Sequence, residues 1–171
     1  MEPVRSQGQP QVLVLGLGNR LLGDDAAGPL AIDALAGSAD AQRARLCDGG
    51  TLGLSLLPEI EDAAALIAVD AAAFGAAPGT VRVFQGEAMD VQLGGRKRSA
   101  HEVALFDLMA TAALCGRLPQ RRALVAVQPA STALGLALSN AVASAMPRLC
   151  EAVRELIARW TDKETERARI A

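Results

Sequence analysis

The chain has 171 residues and a formal charge of −2, from 17 basic and 19 acidic residues, and is 51% hydrophobic but only 2% aromatic. That length suffices for one domain with a proper core and is short for two. The near-balanced charge supplies neither the basic face of a nucleic-acid binder nor a polybasic membrane anchor. No apolar run reaches the roughly 18 to 20 residues that span a bilayer, and Met1 to Pro10 lacks the hydrophobic segment of a secretory signal, so a cytoplasmic protein without membrane insertion is expected.

Met1 to Pro10 reads as a loose leader, and the nearly all-aliphatic run Gln11 to Leu17 as a central parallel strand covered on both faces. Apolar Leu30, Ile32 and Leu35 fit a short helix from Ala26 to Leu35, with Asp24 or Asp25 placed to cap it. Arg43 to Cys47 predicts a second strand, ending in a turn at Asp48-Gly49-Gly50-Thr51 and followed by a short helix through Leu54, Leu57 and Ile60. A third strand runs from Leu66 to Val69 and stops at Asp70.

Thr80 to Phe84 alternates as an antiparallel edge strand does. Gly86 to Arg98, with Gly94-Gly95 and the triplet Arg96-Lys97-Arg98, predicts a mobile loop. Ser99-Ala100-His101-Glu102 fits a capping box opening a helix that ends near Cys115 and Gly116. Ala123 to Val127 is another buried strand. In the last helix Val142, Met146, Leu149, Val153, Leu156 and Trp160 form one apolar stripe; Pro147 either kinks it or marks its true start, and the charged tail after Thr161 is expected to fray. Strands alternating with helices predict a single three-layer α/β domain, with a mostly parallel twisted sheet, helices on both faces and one antiparallel edge strand.

Cys47, Cys115 and Cys150 are odd in number, widely spaced and without a C-x-x-C pair, which predicts reduced, mostly buried thiols rather than a disulfide framework or a zinc site. No H-E-x-x-H or G-x-S-x-G motif is present. Gly16-Leu17-Gly18 after a buried strand, with Asp48 ending the next, suggests a Rossmann-like dinucleotide site. The match fails at the third glycine, where Leu21 should obstruct the close approach of the helix.

A different grouping arises at the carboxyl ends of the strands, where such sheets bind ligands. Asp25 follows the first strand, Asp70 ends the third, and His101, the single histidine, opens a helix. Two carboxylates and an imidazole form an oxygen-and-nitrogen metal site with open positions. Singly, each also has a structural reading: Asp24 and Asp25 as helix caps, Asp70 as a strand terminator, His101 as an exposed helix residue.

Four segments together resemble the hydrogenase maturation endopeptidases: Gly16-Leu17-Gly18-Asn19 with Leu22-Gly23-Asp24-Asp25-Ala26-Ala27-Gly28; Asp48-Gly49-Gly50-Thr51; Ile67-Ala68-Val69-Asp70-Ala71; and Ser99-Ala100-His101-Glu102. The resemblance runs from about Val12 to Leu156. It implies an enzyme that removes the C-terminal extension of a nickel-iron hydrogenase large-subunit precursor, with Asp25, Asp70 and His101 as catalytic and metal-facing residues. Nickel would be recognised while bound to the client, and the free protein would be a monomer that holds it weakly or not at all. Two positions depart from the family's pattern. Asp25 stands where many members carry glutamate, and Leu138-Ser139-Asn140 replaces a common Leu-Thr-Pro in a place expected to lie away from the site. The sequence identifies no nucleophile, which leaves open a non-catalytic nickel-dependent assembly chaperone.

Overall fold

A computed structural model describes residues 12–50, 53–95 and 100–170. Five strands, β1 (Val12–Leu17), β2 (Arg45–Gly50), β3 (Ala65–Ala71), β4 (Val81–Gln85) and β5 (Arg121–Val127), form one sheet in the order β2-β1-β3-β5-β4. All neighbours are parallel except β4, the antiparallel edge expected from its alternation. Helices are α1 (Ala27–Ala36), α2 (Leu57–Asp62), α3 (Glu87–Leu93), α4 (Ala100–Leu114) and α5 (Asn140–Ile170).

Because successive strand residues face opposite sides, each central strand feeds two cores. Val12 and Val14 of β1, Ile67 and Val69 of β3, and Val125 of β5 pack under α1 and α5. Leu13 and Leu15, Leu66 and Leu124 pack under α2, α3 and α4. The result is the three-layer arrangement the sequence predicts. The stripe on α5 is buried at Val142, Leu149, Val153, Leu156 and Trp160, as its four-and-three spacing requires.

Several local expectations are corrected. Gly86 to Arg98 contains α3, which Gly86 introduces at φ 56° and which buries Met89 and Leu93, one helical turn apart, so its described part is structured rather than a mobile loop. Strand β2 continues through Asp48 and Gly49 to Gly50 in place of the expected turn, with an irregularity in its register opposite Gly16 and Leu17. Pro147 lies inside α5 and does not start it, and that helix is continuous to Ile170, past Thr161. Of the three thiols only Cys150 is buried; Cys47 is half-buried and Cys115 exposed. Met1 to Pro10, Thr51, Arg96-Lys97-Arg98 and Ser99 lie outside the described residues.

The chain leaves β1 toward β2 on one side and returns across β1 to β3 on the other, so β1 and β3 are adjacent strands whose following connections diverge. Their carboxyl ends therefore open the crevice that doubly wound sheets use for binding.

Candidate active site

Backbone packing in the β1 loop explains its glycines. After β1 the chain passes through Gly18, at φ 132°, into a 3-10 turn at Gly23–Ala26 that leads into α1. A Cβ at Gly18 would overlap the Asp25 carbonyl, and one at Gly28 would overlap the carbonyls of Leu17 and Val69. Gly28 thus does the work expected of a glycine at position 21. Leu21 is 54% exposed and does not obstruct the helix, contrary to expectation. The physical objection to a dinucleotide lies elsewhere: the Asn19 N–H, a donor a phosphate would use, donates to Asp25 Oδ2 at 2.7 Å. The carboxylate of Asp48 is likewise engaged, by Arg20 at 2.9 Å, while the same guanidinium grips Asp33 at 2.7 and 3.0 Å.

Neither Asp24 nor Asp25 makes a side-chain cap to the turn or to α1. Asp25 is buried and faces His101, whose Nε2 stands 3.1 Å from Asp25 Oδ2. His101 lies in the first turn of α4, with 11% of its side chain exposed.

Asp70, next to last in β3, is wholly buried, and among the described residues neither carboxylate oxygen has a hydrogen-bond partner. Burial raises its carboxyl well above the ordinary range; the nearby charges of Glu102 and Asp25 push the same way, against a weaker pull from the Ala71 amide. The charge of Asp25 therefore reaches Asp70 across the crevice. Glu102, the last residue of the expected capping box, is 1% exposed and loads Asp70 electrostatically. Its signal is its spacing: Glu102 falls on the same buried stripe of α4 as Leu105 and Met109.

The three predicted residues share this strand edge without forming a preassembled cage. Among the described residues no group of three His, Cys, Asp or Glu side chains is arranged to hold a metal ion. The donor chemistry nevertheless suits a borderline cation: an imidazole, a carboxylate paired with it, and a second carboxylate whose oxygens are unsatisfied.

Asp24 is a brace. Its buried carboxylate accepts hydrogen bonds from the amides of Ala130, Ser131 and Ser139 at 2.8, 3.1 and 2.7 Å and from the Ser139 hydroxyl at 2.9 Å. Burial alone would raise its carboxyl, but these donors outweigh that and hold it below the ordinary value. The Ser139 hydroxyl in turn accepts the Val142 amide at 3.3 Å, capping the start of α5. Ser139, expected to lie away from the site, thus anchors the residue next to Asp25.

The family model for hydrogenase maturation protease matches residues 31–156, a span that includes Asp70 and His101. The hydrogenase expression/formation protein HupD of Rhodobacter capsulatus is 40% identical over 164 residues, covering 94% of this chain and 78% of that protein. The chain belongs to the hydrogenase maturation protease family. A second relative, HupM of Azotobacter chroococcum, is 36% identical over 125 residues, 71% of this chain and 58% of its own length. Among solved structures, the hydrogenase-maturating endopeptidase HybD of Escherichia coli superposes with a TM-score of 0.80 at 28% identity, covering 87% of this chain and 93% of that one. A NiFe hydrogenase maturation protease HybD from Thermococcus kodakarensis gives 0.73 at 28% identity, covering 86% and 99%. As a hydrogenase maturation protease the chain is a peptide hydrolase, and none of its described helices is long and apolar enough to cross a membrane.

Proposed function

We propose that this protease removes the C-terminal extension of a nickel-iron hydrogenase large-subunit precursor after nickel insertion, and that nickel carried by the client meets Asp25, Asp70 and His101. The observation that carries the reading is Asp70. A wholly buried carboxylate whose oxygens find no hydrogen-bond partner among the described residues, beside the Asp25 and His101 pair, is a place where a proton or a cation is favoured.

Two oxygen donors and one imidazole, with the imidazole already engaged by Asp25, hold nickel weakly in the free protein. Client-borne nickel adds its own thiolate ligands, so affinity rises only when the metal arrives already bound. Precursor without nickel docks poorly and escapes cleavage. Nickel held there by Asp25, Asp70 and His101 would supply Lewis-acid chemistry at the scissile carbonyl or at the attacking water. Asp70 or Asp25 then takes the proton, and the low-dielectric surroundings of Asp70 suit a base whose carboxyl is already raised.

Intact-mass spectrometry of the large-subunit precursor, nickel-loaded or nickel-free, after incubation with this protein tests the proposal. Loss of a C-terminal peptide from the loaded form alone is expected. Binding of loaded precursor without cleavage overturns it in favour of a nickel-dependent chaperone, and cleavage of both forms removes nickel from the recognition step.

A further inference from the structure

Beside His101 the crevice opens into a cavity of about 160 Å³, to whose wall His101 itself belongs and whose apolar lining is Leu17, Leu56, Ala100, Ala104, Leu105 and Leu108. One wall is a single stripe of α4: His101, Ala104, Leu105 and Leu108 follow at i, i+3, i+4 and i+7, so the residue that faces Asp25 begins the row that lines the cavity. Gly49, Gly50 and Gly53 complete the lining, and among the described residues beyond its chain neighbours no atom lies within 4 Å of where a Cβ at Gly53 would project. Cavities of about 150 Å³ with aliphatic walls take a benzene-sized apolar group.

We propose that this cavity is a specificity pocket for one apolar side chain of the client, leucine- to phenylalanine-sized, in a residue flanking the scissile bond. The proposal rests on the function inferred above, because only a peptide held at His101 brings a neighbouring side chain to this rim. The occupant is apolar because four leucines and two alanines supply the wall. An acidic or amide side chain would leave its polar atoms without partners among them.

Two measurements separate the pocket from the catalytic reading. The first is methyl NMR of Leu17, Leu56, Leu105 and Leu108 during titration with N-acetyl-leucine methylamide, with the aspartate and glycine analogues as controls. Saturable shifts with the leucine probe alone are expected, and both Ala104→Phe and Ala100→Leu should remove them. Ala100 is exposed at the start of α4, so the second variant tests the pocket with little disturbance of the core. Absence of leucine-specific shifts, or their persistence in both folded variants, overturns the pocket. The second is cleavage of nickel-loaded precursors carrying leucine, alanine or aspartate beside the cut. Wild-type protein should prefer leucine, and Ala104→Phe should lower kcat/KM for leucine by about 10- to 100-fold with a smaller loss for alanine. An unchanged preference in Ala104→Phe overturns the specificity role. NMR binding without cleavage of any precursor keeps the cavity as an apolar binding site but overturns its role beside a scissile bond, together with the function proposed above.

Discussion

His101 and Asp25, 76 positions apart in the chain, meet with Nε2 3.1 Å from Oδ2 at the carboxyl edge of the sheet. Groups acting as one unit lose activity together and non-additively. Asp25→Asn and His101→Ala should each reduce nickel-gated processing by at least about 100-fold, with the double variant little worse than either. Each should keep its melting temperature within about 4 °C of wild type, because neither side chain fills a core. Single-turnover cleavage monitored by mass, alongside thermal melts, checks both; normal cleavage by both variants would place the chemistry elsewhere.

Asp70 makes the opposite demand on stability. Its folded-state carboxyl is raised, so its contribution is fully present below the unfolded value of about 3.9 and is lost as pH rises through the raised folded value. Above that folded value, burying the ionised carboxylate is a liability retained for function. Asp70→Asn should abolish processing yet raise unfolding stability at pH 7 by about 0.5 to 2 kcal/mol. It should also flatten the fall in stability above pH 4. Urea titrations at pH 5 and pH 7 decide the point, and a less stable variant at pH 7 contradicts it.

The strands are legible in the sequence because apolar runs bounded by turn residues survive in any parallel sheet. Which side of β1 faces which helices is not, since Val12, Leu13, Val14 and Leu15 are apolar alike and only the packing separates them. The helix at Glu87–Leu93 is hidden by the glycines that flank it and by its own charges: with only Met89 and Leu93 buried, its apolar face is two residues wide. At the site, Asp25, Asp70 and His101 stand out by their places at the ends of elements. The partners of Asp24 do not, because they lie 106 to 115 residues away and three of its four donors are backbone amides, which leave no trace in side-chain identity.

That long-range brace has a measurable cost when broken. Asp24→Ala leaves three amides of a distant segment without their acceptor and releases the turn that carries Asp25. Hydrogen bonds to a charged group contribute about 1.5 to 3 kcal/mol each but not additively, so a loss of about 2 to 4 kcal/mol is expected. Asp24's depressed carboxyl contributes stability above the unfolded value of about 3.9, lost as pH falls through the lower folded value. The deficit of Asp24→Ala should therefore be full at pH 6 and shrink in acid, as denaturant titrations across that range would show.

The hydrogen bonds of the same loop argue against a dinucleotide. Because the Asn19 amide is committed to Asp25 and the Asp48 carboxylate to Arg20, titration with NADH should give no calorimetric signal and no fluorescence change. Saturable binding would return the Gly16-Leu17-Gly18 loop to a dinucleotide role.

Gly28 offers the sharpest test of why the β1 loop is built from glycine. A methyl group there would run into the carbonyls of Leu17 and Val69, joining α1 to the ends of both strands that bear the site. Backbone atoms at the ends of buried strands cannot swing aside as a flexible side chain does. Gly28→Ala should therefore cost about 1 to 3 kcal/mol or more, about 2 to 4 °C of melting temperature for each kcal/mol. It should also impair cleavage by displacing Asp25 from His101. Gly37 is the control: it ends α1 at φ −82° with no atom within 4 Å of where a methyl group would project, so Gly37→Ala should be neutral in melting and in processing. Equal effects at the two positions would mean that loss of glycine itself, and not the crowded approach of α1 to β1 and β3, is what the fold resists.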